Sequence, residues 1–336
     1  MRTVLILNPT SGESALATNH SSLDSNEEQI LAALRTYNIE PTVVYTTVDD
    51  PGTGLARKAA EEGADIVIAA GGDGTLHAVA NGLIHTNSAL GILPMGTMNN
   101  IARSLHIPED IEKACEIIAR GSSSRIDVGK INDHIFLEVS GVGLEAALFP
   151  AAEELKSKGI LSTLKGIAGG LKTLFTFSPT RFTVTFDNGK RRRVHAIQIS
   201  VCNSPYYGAR LQFAPNALMD DGLLDVLIYR RFSKLDYIRH AISISQGRRD
   251  LEQKVSRRKA KIIYIESDQP VEIHADGEQK GHTPAKIAIQ AGVLQVRVPE
   301  KVADGPNITQ PESKKRKIYQ RAVKSGHNEE KGSVYV

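Results

Sequence analysis

Apolar positions follow two different rhythms along this chain. In the first third, short apolar or β-branched runs at residues 4–7, 42–45, 65–70 and 90–93 predict strands. Between and after them, at 27–37, 54–62, 75–84, 99–105 and 108–119, apolar residues recur every three or four positions, the spacing of one helical face. Strands with unbroken apolar runs, separated by helices, imply a parallel sheet covered on both faces. Ligands of such sheets sit at the carboxyl ends of the strands.

From about Ser124 the rhythm changes. Segments 125–130, 135–139, 181–187, 194–201, 224–229, 260–266, 271–275, 286–289 and 294–298 alternate or run β-branched, divided by turn signals such as Asp187-Asn188-Gly189 and Asp221-Gly222. Many strands with few helices predict an antiparallel β-sandwich or barrel-like domain, interrupted by helical inserts at roughly 143–177 and 233–246. The expected fold class is α/β plus β: a doubly wound α/β domain at 1–123, a β-sandwich domain at 124–300, and a tail at 301–336. The tail is polar and basic, so it reads as partly disordered or as packing back on the first domain.

Composition narrows the class. Hydrophobic residues are 41% and charged residues 24% of 336, which fits a globular protein rather than a disordered one. Two cysteines, Cys115 and Cys202, are too few for a disulfide scaffold and lack zinc spacing, so a reducing cytoplasm is expected. No run approaches the ~18 apolar residues of a membrane span, and the N-terminal apolar stretch ends at Asn8-Pro9, too early for a signal peptide. The formal charge of +3 is uneven: beyond Gln310 lie seven basic and three acidic residues, which leaves the body with 34 basic against 35 acidic. A near-neutral body argues against nucleic acid as a partner.

Three loops after predicted strands carry the candidate chemistry: Asn8-Pro9-Thr10-Ser11-Gly12, Gly71-Gly72-Asp73-Gly74-Thr75, and Pro94-Met95-Gly96-Thr97-Met98-Asn99-Asn100, the last two opening helices. Glycine lets backbone N–H groups approach a ligand closely, and a helix N-terminus adds free donors and a positive dipole end, so each loop suits phosphate. Any one alone could be a plain strand-to-helix turn; three at equivalent strand ends argue for a shared site. A carboxylate beside polyphosphate calls for a cation between them, so Asp73 is expected to hold Mg²⁺, directly or through water. Neither a P-loop nor Gly-x-Gly-x-x-Gly is present.

Gly71–Leu76, Asn81-Gly82 and the run Gly91 to Arg103 (Gly-Ile-Leu-Pro-Met-Gly-Thr-Met-Asn-Asn-Ile-Ala-Arg) resemble the catalytic domain of the diacylglycerol kinase family, which includes sphingosine and ceramide kinases and bacterial YegS-type lipid kinases. Asp127-Val128-Gly129, Gly141-Val142-Gly143, Asn203, Tyr207-Gly208, the stretch Pro215 to Asp225, Asp276-Gly277-Glu278 and Thr283-Pro284 follow in the family's order, so the resemblance covers about residues 1–300. It implies an ATP- and Mg²⁺-dependent kinase acting on a lipid hydroxyl, with diacylglycerol the leading acceptor.

By that resemblance, ATP would be held by Asn8, Pro9, Thr10, Ser11 and Gly12, by Thr46 or preferably Thr47, by Gly71, Gly72, Asp73, Gly74, Thr75, Leu76 and His77, and by Thr97 and Asn99. Thr47 reads equally as a strand-end hydroxyl, and His77, where Asn is common in the family, as a helix-surface imidazole. Asp276 would be the general base with Glu278 close by, although Asp-Gly is also a hairpin signal. A structural Mg²⁺ would take Asp221 and the carbonyls of Leu218 and Leu223, the alternative being a turn in which Asp221 bonds its own backbone. Asp127 would join Asp73 in an Asp–water–Mg²⁺ network. Two departures stand out: Asn100 where the family usually has Asp, and a Tyr207–Arg210 loop poorer in glycine than usual.

Residues 155–177 place Leu161, Leu164, Ile167, Leu171 and Phe175 on one helical stripe flanked by Lys156, Lys158, Lys165 and Lys172. Such a helix either packs on its own sheet or lies at a membrane interface. The expected setting is cytoplasmic and peripheral at the inner membrane face, with a lipid substrate as partner and a homodimer left open. Rival readings are a soluble-acceptor kinase of NAD kinase type and a lipid-binding regulator weakened by Asn100.

Overall fold

The computed structural model describes residues 1–10, 21–146, 169, 172, 176–187, 189–230 and 232–300. Ser11, Gly12, most of the lysine-flanked stripe and the tail lie outside the described residues. Residues 1–300 form one compact unit.

Continuous apolarity builds the first sheet. β1 (Thr3–Leu7), β3 (Ile66–Gly71) and β4 (Ala89–Pro94) are buried at every position, while β2 (Thr42–Tyr45) is a more exposed edge. They run parallel in the order β4–β3–β1–β2. The helices that such strands require pack in two pairs: α1 (Ser21–Arg35) with α5 (Ile111–Arg120), and α2 (Thr53–Glu61) with α3 (Asp73–Leu83). At the α2–α3 crossing Gly82 lies against the Thr53 carbonyl, so the Asn81-Gly82 pair serves close helix packing. The chain leaves β1 toward β2 on one side and toward β3 and β4 on the other. The carboxyl end of β1, beside β3, is therefore the switch point where a ligand crevice opens.

The second half is antiparallel. Its strands are β5 (Ser122–Ile131), β6 (His134–Phe136), β7 (Val139–Gly143), β8 (Thr180–Phe186), β9 (Arg192–Cys202), the short β10 (Tyr206–Tyr207) and β11 (Leu211–Gln212), and β12 (Leu224–Arg230). After α6 (Lys234–Ser245) come β13 (Val255–Ala260), β14 (Ile262–Ser267), β15 (Glu272–Ala275), β16 (Glu278–His282) and β17 (Ala285–Val298). Phe136, Phe182, Ile199, Ile228, Ile263, Ile273 and Ile287 fill a core separate from that of the first sheet. The expected α/β plus β-sandwich-like architecture is what the chain forms. β17 bridges the two parts: it pairs with β5 and β14 and, through Val296 and Leu90, runs parallel beside β4.

Boundaries differ from the sequence pattern at informative places. The predicted strands 286–289 and 294–298 are one strand, β17, with a register shift between Gln290 and Leu294. The predicted strand 260–266 is divided between β13 and β14. The predicted strand 135–139 divides into β6 and β7, because the N–H groups of Leu137, Glu138 and Val139 turn to a single carboxylate, that of Asp276. No helix among the described residues is long and apolar enough to cross a membrane.

Candidate active site

The parallel register brings the strand ends level. Leu7 lies opposite Tyr45 and Ala70, and Gly71 opposite Pro94, so the loops that follow them share one end of the sheet. They also touch. Asn8 Nδ2 donates to Thr75 Oγ1 at 3.0 Å, and Asn8 Oδ1 accepts from the N–H and hydroxyl of Thr10 at 3.0 and 2.9 Å. A Cβ on Gly96 would stand 2.5 Å from the Cα of Gly72, so the second and third loops meet backbone to backbone. Asn99, at φ +51°, clamps the third loop by accepting from Gly96 N–H at 2.9 Å and donating to Gly96 O at 2.8 Å.

Thr47 is exposed at the end of β2, its hydroxyl accepting from Asp50 N–H at 3.0 Å, in the strand-end geometry that the sequence left open. Thr97 is exposed beside the crevice, and its carbonyl accepts from Arg210 Nη2 at 2.7 Å. Leu76 is buried in the first core.

Asp73 opens α3 and reaches the start of α4 (Asn100–Ser104), where its Oδ1 accepts from Ile101 N–H at 3.2 Å. Burial lifts its carboxyl above the ordinary value and the charge of Asp276 adds to this, while the N–H groups of Ile101, Asn100 and Asn99 pull the other way.

Asp276 comes from the far part of the chain. Asp276 and Gly277 both have positive φ and turn the β15–β16 hairpin, so the turn signal and the site coincide. Its Oδ1 accepts from the N–H groups of Glu138 and Val139, both at 2.9 Å, and its Oδ2 from Leu137 N–H at 2.6 Å. Oδ1 therefore has both lone pairs occupied, whereas Oδ2 faces His77 Nε2 at 3.6 Å. Burial raises the Asp276 carboxyl above its ordinary value against the opposing pull of His77 and the three N–H groups. Glu278, next along, is exposed and pairs with Lys280, which lowers its pKa.

Two relationships carried no sequence signal. His77 pairs with Asp276 across 199 positions. Glu138, 4% exposed, feels both Asp276 and Asp73, and its carboxyl is held well above the ordinary range by burial and then by those two charges. Among the described residues no group of three acids, histidines or cysteines stands close enough to hold a metal ion by itself.

The remaining metal candidates cluster elsewhere. Asp221 Oδ1 accepts from Leu223 N–H at 3.0 Å, closing a turn on its own backbone, and Oδ2 meets Lys259 Nζ at 2.6 Å. Leu218 is exposed on the same loop. Asp127 Oδ2 accepts from Gly222 N–H at 2.7 Å and Oδ1 from Gly292 N–H at 2.8 Å, tying β5 to the Asp221 turn and to the register shift of β17. Asp127 thus sits with Asp221, and the carboxylates acting on Glu138 are Asp73 and Asp276.

The diacylglycerol kinase catalytic domain matches residues 2–131, and the YegS C-terminal NAD kinase beta sandwich-like domain matches 139–298. A diacylglycerol kinase of Staphylococcus aureus (strain MRSA252) is 31% identical over 291 residues, 85% of this chain and 89% of its own length. The chain belongs to the diacylglycerol kinase family. Another family member, a diacylglycerol kinase of Bacillus subtilis (strain 168), is 29% identical over 307 residues, 90% of this chain and 98% of its own. The fold agrees with family structures: a crystal structure from Bacillus anthracis str. Sterne, provisionally assigned as a diacylglycerol kinase, superposes with a TM-score of 0.72 at 27% identity, covering 88% of this chain and 97% of its own.

Proposed function

We propose that this chain is an ATP- and Mg²⁺-dependent lipid kinase that moves the γ-phosphoryl group to a lipid hydroxyl, diacylglycerol to phosphatidic acid being the leading reaction. The observation that carries the reading is the meeting of three loops at one end of the parallel sheet, with Asp276 3.6 Å from His77 of α3. The loops offer backbone N–H groups and the hydroxyl of Thr75 to phosphate oxygens, a form of binding that needs no net positive charge.

Burial raises the proton affinity of Asp73, Glu138 and Asp276, and the Asp276 charge adds to it at Asp73 while Asp276 and Asp73 add to it at Glu138, so negative charge is gathered here with room for a counter-ion. An all-oxygen carboxylate set suits Mg²⁺, with Asp73 the nearest protein ligand to the phosphate loops and phosphate oxygens or water completing the shell. When bound, Mg²⁺ would neutralise charge developing on the transferred phosphoryl group.

Asp276 orients the acceptor hydroxyl through Oδ2, the oxygen with a lone pair to spare, and takes its proton late in a loose transition state. The burial-raised pKa makes it a better base than an exposed Asp, and His77 Nε2 stands 3.6 Å from Oδ2 on the α3 side. The acceptor is reached at a lipid surface, with the chain bound peripherally.

The test is purified protein with labelled ATP, Mg²⁺ and vesicles carrying diacylglycerol, phosphatidylglycerol, ceramide or a sphingoid base, beside Asp276→Asn. Labelled phosphatidic acid that vanishes in the variant supports the proposal. Nucleotide binding with no labelled lipid from any acceptor overturns it.

A further inference from the structure

The two departures from the family pattern, Asn100 and the Tyr207–Arg210 loop, meet in space. Asn100 is 3% exposed, and its amide nitrogen donates to both Gly208 O at 2.9 Å and Glu138 Oε2 at 3.1 Å. An aspartate at position 100 has no hydrogen to give either acceptor. It would also set a second carboxylate against Glu138 in a buried place, where like charges repel strongly. The amide at 100 is therefore matched to a carboxylate at 138. The buried Oδ1 of Asn100 has no hydrogen-bond partner among the described residues, an acceptor left over beside the carboxylates.

Glu138 is well placed to act. Its N–H holds Asp276 Oδ1 at 2.9 Å, and its carbonyl accepts from the N–H groups of Asn203 and Ser204 at 2.9 and 3.2 Å, so its backbone is fixed from both sides. Asn100 then fixes the side chain from the start of α4, the helix that Asp73 also reaches. One residue is thus tied by its carboxylate to the third loop and by its backbone N–H to the hairpin that carries Asp276.

We propose that Glu138 is a positioning residue of the phosphoryl-transfer site, its carboxylate standing in for the one that the family pattern places at position 100, with Asn100 holding it toward the cation that accompanies the nucleotide. The inference rests on the nucleotide-kinase reading above. It assigns a role to a residue outside every motif of the chain. It also gives Asn100 a meaning other than weakened catalysis, since the acidic charge has moved by one hydrogen bond.

The experiment measures ATP dissociation constants by calorimetry, with Mg²⁺ and in EDTA, for the wild-type chain, Glu138→Gln and Asn100→Asp/Glu138→Gln. The readout is the factor by which Mg²⁺ tightens ATP, a ratio that a purely structural role would leave alone. In Glu138→Gln the side-chain carbonyl oxygen can still accept from Asn100, so the fold is kept while the charge is lost. Glu138→Gln is expected to reduce the factor at least tenfold, and the double variant, with the carboxylate back at 100, to regain it to within threefold of wild type.

A Glu138→Gln factor within twofold of wild type overturns the proposal, as does a double variant no better than the single one. If Glu138→Gln does not fold, the double variant against wild type decides by the same threefold limit. No acceptor lipid enters this measurement. A wild-type chain that binds Mg²⁺·ATP but labels no lipid therefore refutes the lipid-kinase reading while the factor still decides on Glu138. Wild-type protein that binds no nucleotide refutes both.

Discussion

Gly96→Ala puts one methyl group where the second and third phosphate loops touch. The new Cβ would lie 2.5 Å from the Cα of Gly72 and 2.9 Å from Asn99 Oδ1. Carbon atoms rest at about 3.5–4.0 Å, so the loops must part by about 1 Å. The atom opposite is backbone and has no rotamer by which to escape. Overpacking of this kind costs about 1–3 kcal/mol, and a displacement of about 1 Å in positioning groups costs about 10²-fold in rate. The expected result is a melting temperature lower by several degrees and a kcat/KM for ATP lower by about 10²-fold, read by thermal unfolding and by transfer from labelled ATP. Gly74→Ala is the companion variant: its Cβ meets nothing within 4 Å, so stability is retained. Any loss of nucleotide affinity in that variant then reports how closely phosphate approaches Gly74. A Gly96→Ala enzyme with wild-type kcat/KM and unchanged melting would refute the loop contact and the reasoning built on it.

Asp276→Asn turns an acceptor-only group toward three N–H donors into one that must itself donate, so at least one of Leu137, Glu138 and Val139 loses its partner. The cost is about 1–3 kcal/mol, and transfer is expected to fall at least ~10²-fold as the hydroxyl's proton acceptor is lost. Unaltered turnover would remove Asp276 from the mechanism. Asp127→Ala frees the N–H groups of Gly222 and Gly292 and should cost about 2–5 kcal/mol, checked by urea unfolding, with no change expected under the opposite hypothesis that the Asp221 turn stands alone. Glu138 has a raised folded-state pKa, so its ionisation penalises the fold above that value and not below the unfolded carboxylate pKa of about 4.3. Glu138→Gln should accordingly gain melting temperature over wild type as pH rises from 5 to 8.5, and a pH-independent difference would contradict the burial of this charge.

The first half of the fold was legible because its strands are apolar on both faces, and residues 42–45 even matched β2 end to end. The meeting of the loops at the strand ends was legible for a related reason: glycine after a buried strand marks a place where backbone must come close to something. Less could be read where tertiary contacts decide. The run 135–139 is apolar at four of its five positions, and nothing local says that Asp276, well over a hundred residues on, will draw the N–H groups of its last three residues to one carboxylate. Glu138 was invisible because an acid within a strand pattern reads as one more solvent-facing position. His77 read equally as a nucleotide contact and as a helix-surface imidazole, and only the fold sets it 3.6 Å from Asp276. Asn100 was visible as a departure, but its partner was not, since pairing between loops leaves no spacing rule.

β17 matters for the order in which this protein can be made. The strand that lies beside β4 is emitted from the ribosome after every other described strand, some 190 residues after β4 itself. Until it arrives, the nucleotide-binding sheet has an open edge, and Leu294 and Val296 are missing from its core. A nascent chain paused after α5 would hold every phosphate loop yet present an unpaired strand to its neighbours, the exposed edge that templates wrong association. A gene fragment ending before Ala285 should accordingly yield aggregate rather than a smaller nucleotide-binding protein.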